Sequence, residues 1–292
     1  MRAVLGAAMA TAVAAVLWGG SEEQVITEVK AAVSSAPELE AAAPMIAIPA
    51  GSFLRGCNRE AIEALGGVCE DDPKQFTAPN TPARDIELGE FWIDEHEVTR
   101  GAYARCVTAG ACSEASGGGG ALLDHGDARL PVTGVRWAQA DAYCRWEGKR
   151  LPSEAEWEKA ARGTDGRVMP WGNALPHCGT ANVRVRGAEC AQSPRRQSSV
   201  DAFAGDVSPY GVKGMAGNVR EWVADWRSAD AYARPDALAA TVVEQAPSVR
   251  TPRRVVRGGY FDSPLPGLTL PVRRGMAPER ASAHVGFRCA RD

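Results

Sequence analysis

Apolar and polar residues alternate from Met45 to Leu54 (MIAIPAGSFL) around a glycine turn, which predicts an edge strand. Phe91 to Val98 is a second strand-like run of aromatic and β-branched residues. The period then lengthens. Thr99 is placed to cap a helix ending near Gly110, with Tyr103, Cys106 and Val107 on its buried face. Arg136 to Glu147 sets Trp137, Ala140 and Cys144 on one helical face, and Gly148 stops it. Ser153 and Glu156 form a capping-box pattern for a third helix through Arg162, with Trp157 and Ala161 buried four apart. From Thr164 onward Gly, Pro, Trp and Asn dominate and regular elements are few. Such a half needs staples or ions, because its backbone groups cannot all pair with one another.

The start of the chain follows a different pattern. One arginine precedes an apolar run from Ala3 to Trp18, then Gly19 and Gly20. That run is shorter than the roughly 20 residues of a spanning helix. Residues 1–20 therefore read as a signal peptide or short membrane anchor, and 21–43 as an Ala/Glu-rich linker. The expected location is periplasmic or extracellular, with membrane contact only through an uncleaved leader. Lys and Arg number 33 against 36 Asp and Glu, without a basic stripe, so nucleic acid is not an expected partner. Eight cysteines in an exported chain read as four disulfides. Cys57 and Cys69, Cys106 and Cys112, and Cys178 and Cys190 each flank a short loop. His96, His125, His177 and His284 are scattered, without metal-ligand spacing. Gly117 to Gly120 reads as a flexible loop, and 59–81 as a polar insertion pinned by Cys57 and Cys69.

Five blocks stand out in order: FWIDEHEVTRGAYARCV (Phe91 to Val107), RLPSEAEWEKAARG (Arg150 to Gly163), YGVKGMAGNVREWVADW (Tyr210 to Trp226), RVVRGGYF (Arg254 to Phe261) and VGFRCARD (Val285 to Asp292). From about Met45 to the C-terminus they resemble the formylglycine-generating enzymes, or sulfatase-modifying factors, which makes 44–292 one such domain. The resemblance implies a loop-rich α+β fold related to the C-type lectin scaffold. It also implies a pairing of Cys144, in the AYC helix, with Cys289, in the final FRC strand. The family's oxidases turn a sulfatase cysteine into formylglycine with oxygen and copper, which two thiolates hold. Their cysteines sit between the Gly-Gly block and the arginine-rich segment before FRC. Here that interval, Gly258 to Arg280, has no cysteine, and none occurs between Cys190 and Cys289. Copper is not expected.

The resemblance implies calcium as a structural ion instead. Its ligands would be Asn182 and Val183 at one site, and Gly217, Val219 and Glu221 at another; Gly214 stands where an asparagine ligand is usual. The other reading of Glu221 is a buried carboxylate paired with Arg257 or Arg288. Trp171, Trp222 and Trp226 either line a peptide or sugar cleft or belong to the core. Tyr260 and Phe261 fall at the family's reactive loop and suit recognition. Tyr260, Asp262 and Ser263, with Glu221, are the candidates for any changed catalysis, without a diagnostic spacing. The expectation is a non-oxidase binding or maturation module for a peptide, glycan or partner protein. The alternatives are an enzyme of altered, non-copper chemistry and, last, the oxidase itself.

Overall fold

The computed structural model describes residues 43–66, 69, 77–78, 80–115, 127–185, 196–233, 244 and 246–292. The leader, almost all of the linker, the Gly117 to Gly120 loop, His125 and Cys190 lie outside the described residues. The chain runs β1 (Met45–Ile48), β2 (Gly51–Arg55), α1 (Arg59–Ala64), β3 (Thr77–Ala78), β4 (Arg84–Leu88), β5 (Phe91–Asp94), α2 (Arg100–Thr108), α3 (Trp137–Trp146) and α4 (Glu154–Arg162). Then follow β6 (Arg220–Trp226), β7 (Arg254–Arg257), β8 (Arg273–Met276), β9 (Val285–Phe287) and β10 (Ala290–Arg291). This is a mixed α/β fold, rich in short strands.

The helices form where local signals place them. Thr99 Oγ1 accepts from Ala102 N at 3.1 Å and opens α2. Ser153 and Glu156 exchange both capping bonds at the start of α4. Two strand expectations change. The 45–54 run is not one strand: β1 joins the sheet β1-β5-β10, and β2 leaves to pair with β4. The 91–98 strand stops at Asp94, because His96 and Glu97 turn inward. The insertion after Cys57 contains α1, capped by Asn58.

The second half has more order than its composition suggests. It supplies four of the five strands of the sheet β3-β8-β7-β6-β9. Val223 and Val255 pack with Trp157 of α4, while Trp222, Val256 and Phe287 pack with Tyr103, Tyr143 and the Cys144–Cys289 disulfide. Cys57–Cys69 and Cys106–Cys112 are also closed, and Cys178 is disulfide-bonded. Trp222 is fully buried and donates its indole N–H to Val135 O at 3.1 Å. This corrects its assignment to a binding surface: it is core.

A buried ionic layer ties α4 to the sheet. Glu154 receives Arg55, Arg257 and Arg273, and Glu158 receives Arg162 and Arg257. Burial alone would raise Glu154, but Arg273, Arg257 and Arg55 outweigh it and bring its pKa down to about 2. No helix among the described residues is long and apolar enough to cross a membrane.

Candidate functional site

The turn Gly214–Asn218 leads into β6, and the Gly258–Ser263 loop leaves β7 beside it. Gly259 N donates to Ala216 O and Phe261 N to Asn218 O, both at 3.0 Å. Only glycine permits this approach: a Cβ at Gly259 would lie 2.5 Å from Ala216 O. The loop's far end is closed by Ser263, whose backbone N–H donates to Tyr260 O at 2.8 Å while its Oγ accepts from Tyr260 N at 3.0 Å. Ser263 is fully buried. Its hydroxyl caps the turn and is not presented as a nucleophile.

The Gly214–Asn218 turn is held from beneath by polar side chains. Asn218 has φ of 60°, a region that asparagine tolerates better than most residues. Its side chain accepts from Asn182 Nδ2 and Ser198 N at 3.0 Å, and donates to Glu97 Oε1 at 3.1 Å and Ser198 O at 3.2 Å. The Asp206 carboxylate accepts from Ala216 N and Gly217 N. Burial pushes Asp206 up to about 6 against the pull of those two N–H groups. Burial pushes Glu97 up to about 8; Arg288 opposes the rise and Glu221 adds to it. A cavity of about 10 Å³, the room of one water molecule, lies among Asn182, Asp206, Gly214 and Asn218.

Around the loop tip the structure gathers residues that sequence reasoning missed. The Arg220 guanidinium lies 4.4 Å from the centre of the Tyr260 ring, and the His284 ring 4.8 Å from it. Phe261 stands nearly perpendicular to both rings, at 5.3 Å from each. Asp262 faces Arg184 at 3.9 Å. Three buried polar atoms here have no hydrogen-bond partner: Arg220 Nε, Asp262 Oδ1 and His284 Nδ1. Burial, and then Arg220, lower the His284 pKa, so its imidazole is neutral at physiological pH. The parallel pairing of Arg220 with Val285 brings this arginine and His284 together across 64 positions. No local spacing could announce that. Tyr260, Phe261 and Asp262 are thus brought together, while Trp171 packs against the Val168–Leu268 cluster, with its N–H on Ala174 O. A larger concavity of about 440 Å³ lies past the other end of β6, lined by Arg227, Pro247, Val249 and Arg253.

The implied metals fare differently. A thiolate copper site does not fit, since the interval lacks cysteine and no cysteine is free among the described residues. Calcium does not fit at Glu221, whose two oxygens are taken by Arg288 at 2.7 and 2.8 Å, with Trp157 Nε1 also on Oε2. The missing asparagine has no room there either, because a Cβ at Gly214 would lie 2.8 Å from Glu97 Oε2. Asn182 fits better: its Oδ1 is buried without a partner, as a hard-cation ligand would be before its ion arrives.

Comparison with known proteins agrees with this architecture. Residues 29–292 match the family described as the sulfatase-modifying factor enzyme 1-like domain. The chain is 31% identical to a formylglycine-generating enzyme of Thermomonospora curvata, over 87% of this chain and 95% of that protein. It is 36% identical to the inactive C-alpha-formylglycine-generating enzyme 2 of Bos taurus, over 55% of this chain and 50% of that one. Among solved structures, PvdO from Pseudomonas aeruginosa superimposes with a TM-score of 0.64 at 24% identity, covering 85% of this chain and 94% of its own. The chain belongs to the sulfatase-modifying factor enzyme 1-like, or formylglycine-generating-enzyme-like, family.

Proposed function

We propose that this chain is an exported, non-oxidase member of its family. It would bind a peptide, glycan or partner protein at the Gly258–Ser263 loop, as a binding or maturation module. One observation carries the reading. The loop is docked on the Gly214–Asn218 turn and presents aromatic and polar side chains, yet the interval after it offers no thiol. Closed disulfides and the absence of free cysteines among the described residues support an oxidising compartment. The likeness to a relative named inactive supports the non-oxidase reading. A structural calcium ion would be held by Asn182 and the Val183 carbonyl. Chelation should then lower the melting temperature, and Asn182→Ala should remove that response.

The test is intact mass with and without reduction under denaturing conditions. Eight oxidised cysteines are expected, followed by a peptide and glycan screen in which Phe261→Ala weakens any hit. Two free thiols, with copper-dependent oxygen uptake, would overturn the reading. A second reading, an enzyme of non-copper chemistry, rests on His284. Its neutral ring lies beside Tyr260 with Nδ1 unpartnered, as a proton acceptor requires.

A further inference from the structure

We propose that Arg220, His284 and Phe261 form a seat for a carboxylate carried on a small apolar body. The inference rests on the loop being a ligand surface, and it names what that surface takes. Its basis is a contrast among arginines. Arg55, Arg162, Arg257, Arg273 and Arg288 are buried, and each meets a carboxylate. That pairing offsets the cost of removing a guanidinium from water. Arg220 is half-buried and meets none: no ion pair reaches it among the described residues, and its Nε has no hydrogen-bond partner. The Tyr260 ring covers it at 4.4 Å, a cation–π contact that brings no carboxylate to it.

The missing counter-charge is an anion from outside. His284 Nδ1, also without a partner, supplies a second donor in its Nδ1–H tautomer. A planar two-oxygen group suits such a pair of donors, since guanidinium binds carboxylates through parallel hydrogen bonds. Asp262 sets the charge of the ligand. Its Oδ1 makes no hydrogen bond and lies 3.9 Å from Arg184 Nη1, and its carboxylate acts electrostatically on His284. A second negative charge on the ligand would be repelled there, so a monoanion is preferred to a dianion. Phe261, packed against Tyr260 and His284, gives the ligand an apolar wall.

The experiment is calorimetric titration of the exported protein with benzoate, benzamide, inorganic phosphate at pH 8, and acetyl-phenylalanine with its amide. Benzoate should bind about tenfold or more tighter than benzamide, and phosphate more weakly than benzoate. Arg220→Gln should cost about tenfold in benzoate affinity, while Arg220→Lys retains part of it and a change at the exposed Arg145 of α3, Arg145→Gln, stays within about twofold. Acetyl-phenylalanine binding better than benzoate would assign the carboxylate to a peptide terminus; the reverse assigns it to a free small acid. Equal binding of benzoate and benzamide, no benzoate binding, or an Arg220→Gln variant that melts like the parent and binds unchanged would overturn the seat. Those outcomes leave the non-oxidase reading to the thiol count, so the two fail separately.

Discussion

Glu221 and Arg288 close a two-pronged ion pair beneath the loop, Oε1 to Nη2 at 2.7 Å and Oε2 to Nε at 2.8 Å, both residues buried. The same guanidinium donates to the carbonyls of Asp94, Glu95 and Lys213. It therefore joins the end of β5, the segment before the turn and the last strands.

Arg288→Ala leaves Glu221 charged and unpaired in the interior, which should cost about 3–5 kcal/mol. Arg288→Lys cannot restore the fork and should recover only part. Urea unfolding of the chain measures both. A loss below about 1 kcal/mol for the alanine variant would contradict the fork's structural role.

Two buried carboxyls should make stability decline as pH rises, while His96 and His284, both lowered from 6.5, act the other way below 6.5. Glu97 holds a pKa of about 8 in the fold against an ordinary value of 4.5. Its contribution is fully present below 4.5 and is lost as pH rises through 8. Asp206, raised from 3.8 to about 6, acts in the same sense over a lower window. Glu154 has the opposite sign: held at about 2, it contributes above 4.5 and is lost as pH falls through 2. Melting temperatures from pH 6.5 to 8 should fall in the parent and fall less in Glu97→Gln. The slope for one group cannot exceed about 1.4 kcal/mol per pH unit. Parallel curves would show that Glu97 is not the titrating group.

Gly259→Ala should loosen the loop, since the added methyl would meet Ala216 O at 2.5 Å and Leu268 Cδ2 at 2.6 Å. A cost of about 1–3 kcal/mol is expected. Hydrogen exchange at Phe261 should accelerate, because its N–H bond to Asn218 O belongs to the same docking. Unchanged protection at Phe261 would refute this.

Cys144–Cys289 closes a loop of 145 residues and lies in the Tyr103–Tyr143–Phe287 cluster. Converting both cysteines to serine should cost about 4–5 kcal/mol on the chain-entropy account. Denaturant midpoints compared with the Cys106–Cys112 double variant, whose separation is six, should show the larger loss for the long loop.

What could be read from the chain was local. Thr99 and the Ser153–Glu156 pair declare helix starts within four residues, and α2 and α4 begin there. The strands β7, β8 and β9 are only three or four residues long, and Val255 and Val256 are both buried, so no alternation marks them. Glu221 was legible as a buried carboxylate awaiting an arginine. Which one was not, because Arg257 is spent on Glu154 and Glu158. Tyr260 and Phe261 could be placed from the Gly-Gly motif. Arg220 and His284 join them only through the parallel pairing of β6 with β9, which no short-range pattern encodes.

The Gly258–Ser263 loop is clamped through main-chain atoms at Gly259 and Phe261 and closed by the Ser263 hydroxyl. Tyr260, Phe261 and Asp262 contribute side chains to none of those bonds. Folding thus makes little demand on their identity, and mutation can exchange them without dismantling the holder. A lineage built on this frame can change the surface its tip presents while the same glycines and the same serine keep the tip in place.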